Sequence, residues 1–388
     1  MSQNKPHKAA NFILLIIVLV WLPFLPNYAK APQLHERLLV QGIGVDMEQG
    51  AFVVTLQSYH ALNTGGGADV PTEADVISGV GNSVQDAFSQ LSRSTGRQLM
   101  YSQNLILLIG EKAAQEGITE FFDFFIRHYE TRPSVSVAVV RDGTAYAAMR
   151  CKKDDTLITA QEIAQLATSD SLNAASASST VLQMTSDLTS STASPFAAAL
   201  RILEKGEDNE LQTDGTALFL GDKLAGYLSA DQSTGLLLMR GEAAEGTQVA
   251  QVEEIGRVSY SLTGCKSDIT VTQEDGQPHF QIDVSVTANL YELDGVPGEQ
   301  LPKDSFDRFR TTLEHQLDAL CNQTLSACVT EYHCDPLNLG RHLRNQQTEL
   351  YHKALDAWPQ ILSNSSYQVT VSARVEQIGQ ETNPHVKT

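Results

Sequence analysis

The chain has 388 residues, with 27 Lys and Arg against 46 Asp and Glu, for a formal net charge of −19. A body this acidic repels nucleic acid and anionic lipid headgroups, which argues against a DNA-binding or polybasic membrane-surface role. Hydrophobic residues make up 42%, enough to build cores, and the length suits two domains or three.

The first feature along the chain is its only long apolar run. Lys5, His7 and Lys8 precede residues 12–25, FILLIIVLVWLPFL, which carry no charge, and polar sequence returns at Asn27. A basic flank followed by an apolar stretch is the pattern of an export signal or a single membrane anchor. The run of 14 residues falls short of the roughly 20 that a spanning helix wants. Pro23 and Pro26 kink or end it. Asn27, Tyr28 and Ala29 offer a passable cleavage site, so residues 1–31 are expected to be either a cleaved signal or an uncleaved anchor.

Residues 38–46 (LLVQGIGVD) and 51–59 (AFVVTLQSY) are rich in β-formers and flank Met47 to Gly50, which predicts a hairpin. Residues 60–75 are polar and hold Gly65, Gly66 and Gly67, the mark of an exposed loop. Val84, Phe88 and Leu91 recur at helical spacing over 83–93. The apolar run 105–109, LILLI, predicts a central strand. A helix is expected over 111–129, with Ile118, Phe121, Phe122 and Phe125 on its apolar face. Residues 134–140 predict a further strand, ended by a turn at Asp142 and Gly143. This alternation indicates an α+β or mixed unit. Ser, Thr and Ala dominate 168–194, read as part helix and part linker. Residues 204–214 are strongly charged, and the boundary between two halves is expected within 195–214.

Residues 216–241 open the second half as a hairpin around Gly221 and Asp222, then a short helix. A strand is expected over 249–262. Residues 269–272 and 279–290 flank a turn at Asp275 and Gly276. In the second of these Phe280, Ile282, Val284, Val286, Ala288 and Leu290 alternate cleanly, a strong strand signal. Phe306, Phe309, Leu313, Leu317, Leu320 and Thr324 form a helical stripe. Asp335 followed by Pro336 reads as an N-cap with Pro at the first helical position, opening a helix that runs to Trp358 and stops at Pro359. Tyr367, Val369, Val371, Ala373 and Val375 alternate as a final strand. The second half is thus expected to be an antiparallel sheet with long helices.

Chemistry is sparse. Gly42, Ile43 and Gly44, and Gly79, Val80 and Gly81, are the nearest approach to a phosphate loop. Neither continues into a nucleotide fingerprint, and in strands such glycines mark a bulge or a close backbone approach. No nucleophile elbow and no zincin motif is present. His35, His60, His128, His279, His315, His333 and His342 have no partner at a telling spacing. The acid pairs Asp154 with Asp155, Glu207 with Asp208 and Glu253 with Glu254 are adjacent, so their carboxylates point apart and are normally solvated. The cysteines are Cys151, Cys265, Cys321, Cys328 and Cys334. With His333 and His342, the last three can be imagined as a zinc site, but the spacing C-x6-C-x5-C fits no compact zinc pattern. They read instead as small buried apolar residues, with one disulfide among them at most. No catalytic, cofactor-binding or metal-binding residue is assigned, and no cofactor is expected.

Four stretches together resemble the Ger(x)C family, the C subunits of spore nutrient germinant receptors. Residues 33–46 read QLHERLLVQGIGVD. Residues 117–132, GITEFFDFFIRHYETR, are similar to the family's helix ending in R-x-x-E-x-R, here Arg127, Glu130 and Arg132. Residues 215–238, GTALFLGDKLAGYLSADQSTGLLL, look like the opening of its C-terminal domain. Residues 335–375 hold DPLNLGRHLRN, ALDAWPQI and VTVSARV, where the family has a D-x-x-G-x-G phrase, a basic helix and a K-D-N-W segment. The resemblance implies several α+β domains and a non-enzymatic, membrane-associated subunit on the outer face of the spore inner membrane. It also implies membrane-spanning A- and B-type receptor subunits as partners. One departure is sharp. Family members carry a lipid on a cysteine at the end of the leader, which should fall near Tyr28. No Cys precedes Cys151, so the thioether has no thiol to form on.

The resulting expectation is an α+β chain of two to three domains, each a mixed or antiparallel sheet with packed helices. Residues 1–31 are the signal or anchor, 32–195 an N-terminal α+β region, 196–214 a linker and 215–388 a C-terminal α+β domain. The function expected is a non-catalytic extracytoplasmic receptor subunit needed for nutrient-triggered germination, held at the membrane by its N-terminal segment and binding no nucleic acid. An anchored or secreted solute-binding protein is the alternative, and an exported hydrolase with dispersed residues a third.

Overall fold

The computed structural model describes residues 37–61, 72–127, 132–153, 156–205, 208–253, 255–293 and 304–377. The expected leader lies outside the described residues. Two large sheets with packed helices make the chain α+β.

The first sheet begins with a meander. Strands β1 (Arg37–Glu48), β2 (Ala51–Ala61) and β3 (Thr72–Gly81) pair antiparallel. Gln49 and Gly50, both at positive φ, make the first turn. The expected loop over 60–75 is narrower than predicted, since β2 reaches Ala61 and β3 starts at Thr72; residues 62–71 lie outside the described residues. Helix α1 (Val84–Thr95) follows, N-capped by the Ser83 hydroxyl, then the short β4 (Gln98–Met100).

β5 (Ile106–Gly110) is buried at every position because both faces of the sheet are covered there, the usual setting of a parallel strand. Leu107 and Ile109 enter one core, Ile106 and Leu108 another. The single helix expected over 111–129 is two, α2 (Glu111–Glu116) and α3 (Thr119–Arg127). Gly117 breaks it at φ 137°, where a Cβ would stand 2.9 Å from a carboxylate oxygen of Asp222. β6 (Ser136–Arg141), α4 (Ala145–Met149), the two-residue strands β7 (Lys152–Lys153) and β8 (Thr156–Leu157), α5 (Ala160–Ala167), α6 (Asp170–Asn173), β9 (Ser179–Thr180) and α7 (Val181–Thr189) come next.

The segment expected as a linker is instead an integral part of this sheet. β10 (Phe196–Lys205) pairs parallel with β6, and β11 (Asp208–Leu220) and β12 (Lys223–Leu228) continue from it antiparallel. Phe196, Ala197, Ala198, Ala199 and Leu200 are all buried. Of the charged residues that follow, Glu204 pairs with Asn209 and Glu210 with Leu203 in the β10–β11 ladder, and Asp214 meets Arg141 and Arg201. The strand order is β12-β11-β10-β6-β5-β1-β2-β3, with β4 on β1 and β9 on β6. A parallel centre is thus flanked by antiparallel meanders on both sides. Helices α1, α2, α3 and α7 cover one face and α4 and α5 the other.

Helix α8 (Ala230–Arg240) leads to the second sheet. The strand expected over 249–262 is split into β13 (Gly246–Val252) and β14 (Gly256–Glu274), with Gly256 at φ 113°. β14 and β15 (Gln277–Leu293) form the predicted hairpin about Asp275 and Gly276. Phe280, Ile282, Val284, Val286 and Ala288 face the core as their alternation required. Helix α9 (Ser305–Ser326) packs on them through Phe309, Leu313 and Leu317, while Phe306 is exposed.

The long helix expected from Asp335 to Trp358 is broken into α10 (Leu339–Gln346), α11 (Thr348–Ala354) and a 3-10 turn. Pro359 lies in the first turn of α12 (Trp358–Asn364), where it starts a helix rather than stopping one. β16 (Ser366–Gln377) pairs parallel with β15, so the second sheet is mixed, not antiparallel. Its core includes Phe196, Leu218 and Leu228 of the first sheet. One apolar cluster therefore spans both halves.

Candidate functional site

Two of the four family-like stretches contain a buried aspartate, and the two carboxylates do the same job. Asp46 ends the first phrase and is 2% exposed. Its Oδ1 accepts from the Ala145 amide at 2.8 Å and its Oδ2 from the Tyr146 amide at 2.9 Å, satisfying the orphan donors that open α4. Burial pushes its pKa up, and those two amides pull it back. The glycines beside it let helices close on β1. A Cβ on Gly44 would lie 2.8 Å from the Ala145 Cβ, one on Gly42 3.1 Å from the Ala160 Cβ, and one on Gly110 1.9 Å from Asp46 Oδ1. The register of β1 against β2 also shifts between Val40 and Gly42. Gly79 and Gly81 serve packing too, facing Leu91 and the Ala87 backbone of α1. None of these glycines forms a phosphate loop.

Asp335, 1% exposed, anchors the second phrase. Its carboxylate accepts from the Leu339 amide at 2.8 Å and the Gly340 amide at 2.9 Å. The N-cap chemistry expected of it is present, but it acts across a loop, from four residues ahead of the helix. Asn338, at φ 58°, turns the chain into α10. A left-handed residue there suits Gly, or failing that Asn, which accounts for the phrase D-x-x-G-x-G and for its variant in this chain.

The same loop joins the two halves. The Asp335 amide donates to Ser194 Oγ at 2.8 Å and the Ser194 amide to the Asp335 carbonyl at 3.0 Å. Gly340 lies so close to Thr192 that a Cβ would meet the Thr192 Cβ at 2.3 Å. Arg240, at the end of α8, donates Nη1 to the Pro336 carbonyl and Nε and Nη2 to Glu242, with its guanidinium 4.8 Å over the Phe196 ring. Desolvation raises the pKa of Asp335 to about 7, opposed by its two amides and by Arg240. It raises that of Asp187, on the neighbouring α7, to about 6.

Two open cavities flank this joint, one of about 390 Å³ beside Asp187 and Thr192 and one of about 320 Å³ beside Arg240 and Ser267. Asn338 and Arg341 line both. His342 lines the smaller, its pKa lowered by burial and by Arg341.

The imagined zinc ligands do not converge. Cys321 Sγ lies against the Gly235 carbonyl, Cys334 Sγ against the Phe219 carbonyl, and the His333 ring against Val329 and Ser363. Among the described residues, no three His, Cys, Asp or Glu side chains gather to hold a metal. All five cysteines are free thiols, four of them buried. Burial pushes Cys151 up to about 11 and Cys265 to about 12, far from the thiolate form that a nucleophile needs. No helix among the described residues is long and apolar enough to cross a membrane.

Comparison with known proteins accounts for both halves. Residues 30–202 match the model of the spore germination protein N-terminal domain, and residues 214–379 that of the spore germination B3/GerAC-like C-terminal domain. Spore germination protein B3 of Bacillus subtilis (strain 168) is 24% identical over 177 residues, 45% of this chain. That alignment spans about half of B3, 47% of its length. Spore germination protein KC of the same organism is 21% identical over 399 residues, 96% of this chain and 97% of its own. The crystal structure of the GerBC protein superposes with a TM-score of 0.56 at 21% identity, covering 86% of this chain and 96% of that one. At that identity the likeness is one of fold.

Proposed function

The chain belongs to the spore germination B3/GerAC-like family, and from that membership we propose that it is the C-type subunit of a nutrient germinant receptor. It works without catalysis, outside the cytoplasm on the outer face of the spore inner membrane, beside membrane-spanning A- and B-type subunits. The observation that carries this reading is the succession of two family domains over residues 30–202 and 214–379. A second observation supports the non-catalytic part. The buried carboxylates of two family-like stretches, Asp46 and Asp335, are spent on capping helices inside the fold.

Deleting the gene in its own host tests the role. Spores of the deletion strain should lose their response to at least one nutrient mixture while still germinating under a non-nutrient trigger, and the intact gene should restore the response. Spores that answer every nutrient as the parent does would overturn the proposal. Attachment is tested separately. A variant lacking residues 1–31 should move from the membrane fraction to the soluble fraction. If it fractionates like the full chain, the N-terminal segment is not the anchor.

A further inference from the structure

The larger cavity at the joint, about 390 Å³, is walled on one side by the turn after α7 and on the other by α10 and α11. Its volume lies within the roughly 300–1,000 Å³ typical of small-ligand sites. Two kinds of charge line it. Arg341 and Arg344, one helical turn apart, are exposed. Neither guanidinium has a hydrogen-bond or ion-pair partner among the described residues, in a chain with 46 carboxylate side chains to choose from. Asp187 lines the same cavity and is 8% exposed, yet its carboxylate also lacks a hydrogen bond or ion pair among the described residues. Arg240 acts on it only at a distance, with Nε, Nη1 and Nη2 directed to Glu242 and Pro336. This carboxylate is desolvated on its protein side with no protein donor, and the cavity is the side from which a partner can reach it.

We propose that this cavity binds a small zwitterion of the α-amino-acid type, its carboxylate on Arg341 and Arg344 and its ammonium on Asp187. A dianion such as phosphate would set its charge against Asp187, and a simple cation would face two guanidiniums. A ligand bearing both signs a few bonds apart satisfies all three side chains. The planar fork of arginine matches a carboxylate. The cavity exceeds what the ammonium and carboxylate occupy, which leaves room for a side chain beside Thr192 and Tyr351. This inference goes beyond the subunit role.

Calorimetric titration of the full-length chain in detergent tests it. The probes are L-glutamine, L-leucine and L-phenylalanine, each with its carboxamide and its N-acetyl derivative, and inorganic phosphate. At least one free amino acid should bind saturably. Its two blocked derivatives should bind at least about tenfold more weakly, as loss of a charge-assisted pair requires. The double variant R341Q/R344Q, at exposed positions, should melt like the parent and bind at least about tenfold more weakly. D187N should weaken binding similarly, with its fold checked by the melting temperature. The proposal is overturned if no free amino acid binds, if an N-acetyl derivative or phosphate binds as well as the free amino acid, or if D187N leaves affinity unchanged. Such a failure would leave the receptor-subunit reading standing, because that reading is judged by the deletion strain.

Discussion

Gly340→Val should destabilise the protein by about 3 kcal/mol or more, at or above the upper end of ordinary overpacking. The Cβ it adds would lie 2.3 Å from the Thr192 Cβ and 2.8 Å from its Cγ2. Neither Cβ can rotate away, because each is fixed by its own backbone. The backbones are fixed in turn by the reciprocal bonds between Asp335 and Ser194. Urea unfolding gives the measure. Thr192→Gly in the same chain should recover more than half of the loss, since it removes the three atoms nearest the added Cβ. Gly264→Ala, which meets nothing within 4 Å, should stay within about 1 kcal/mol of the parent. If Gly340→Val proves as mild as that control, the close approach of the two halves is wrong.

Asp335→Ala should cost about 2–4 kcal/mol, because it strands the buried Leu339 and Gly340 amides at the start of α10. The loss should depend on pH. The folded-state pKa of Asp335 is raised from 3.8 to about 7. The folded protein therefore holds this proton more tightly than the unfolded chain does. The stability contributed by protonation is complete below pH 3.8 and is lost as pH rises through about 7. Asp187, raised to about 6, adds to the same slope. The parent should thus lose stability between pH 5 and pH 8 by an amount on the order of one to a few kcal/mol. The variant lacks the Asp335 share, so the difference between parent and variant should be larger at pH 5 than at pH 8. An equal or smaller difference at pH 5 would show that the carboxyl is not held protonated by the fold.

Periodicity made some elements legible and tertiary context hid others. The run of apolar residues at 105–109 and the alternation from Phe280 to Ala288 each placed a strand correctly, because burial on two faces and on one face leave different patterns. β10 was missed because the charges just beyond it dominated the reading, while its first five residues, buried on both faces, carry no alternation. The late start of α10, after Asn338, depends on a left-handed residue that is not glycine, and local propensity gives that little weight. Asp46 and Asp335 were visible as members of family phrases, but their targets are amides that only folding brings near: Asp46 reaches across 99 residues to Ala145. Asp187 gave no signal at all. It lies in the Ser-, Thr- and Ala-rich stretch 168–194, which reads as part helix and part linker, and the packing of α10 and α11 brings Arg341, Arg344 and Tyr351 opposite it.

The parallel pairing of β16 with β15 has a kinetic side. Partners such as Ser285 and Ser372 are 87 residues apart, whereas β14 and β15 are joined through a turn at Asp275 and Gly276. Closing so long an intervening segment costs chain entropy before a ladder bond can form. The two seams of this sheet therefore differ: one zips from its own turn, and the other must wait for the four helices α9, α10, α11 and α12. When the chain is newly made or transiently opened, β15 keeps a bare edge after its hairpin with β14 has formed. Until β16 docks, that edge is open to strand exchange with a second chain.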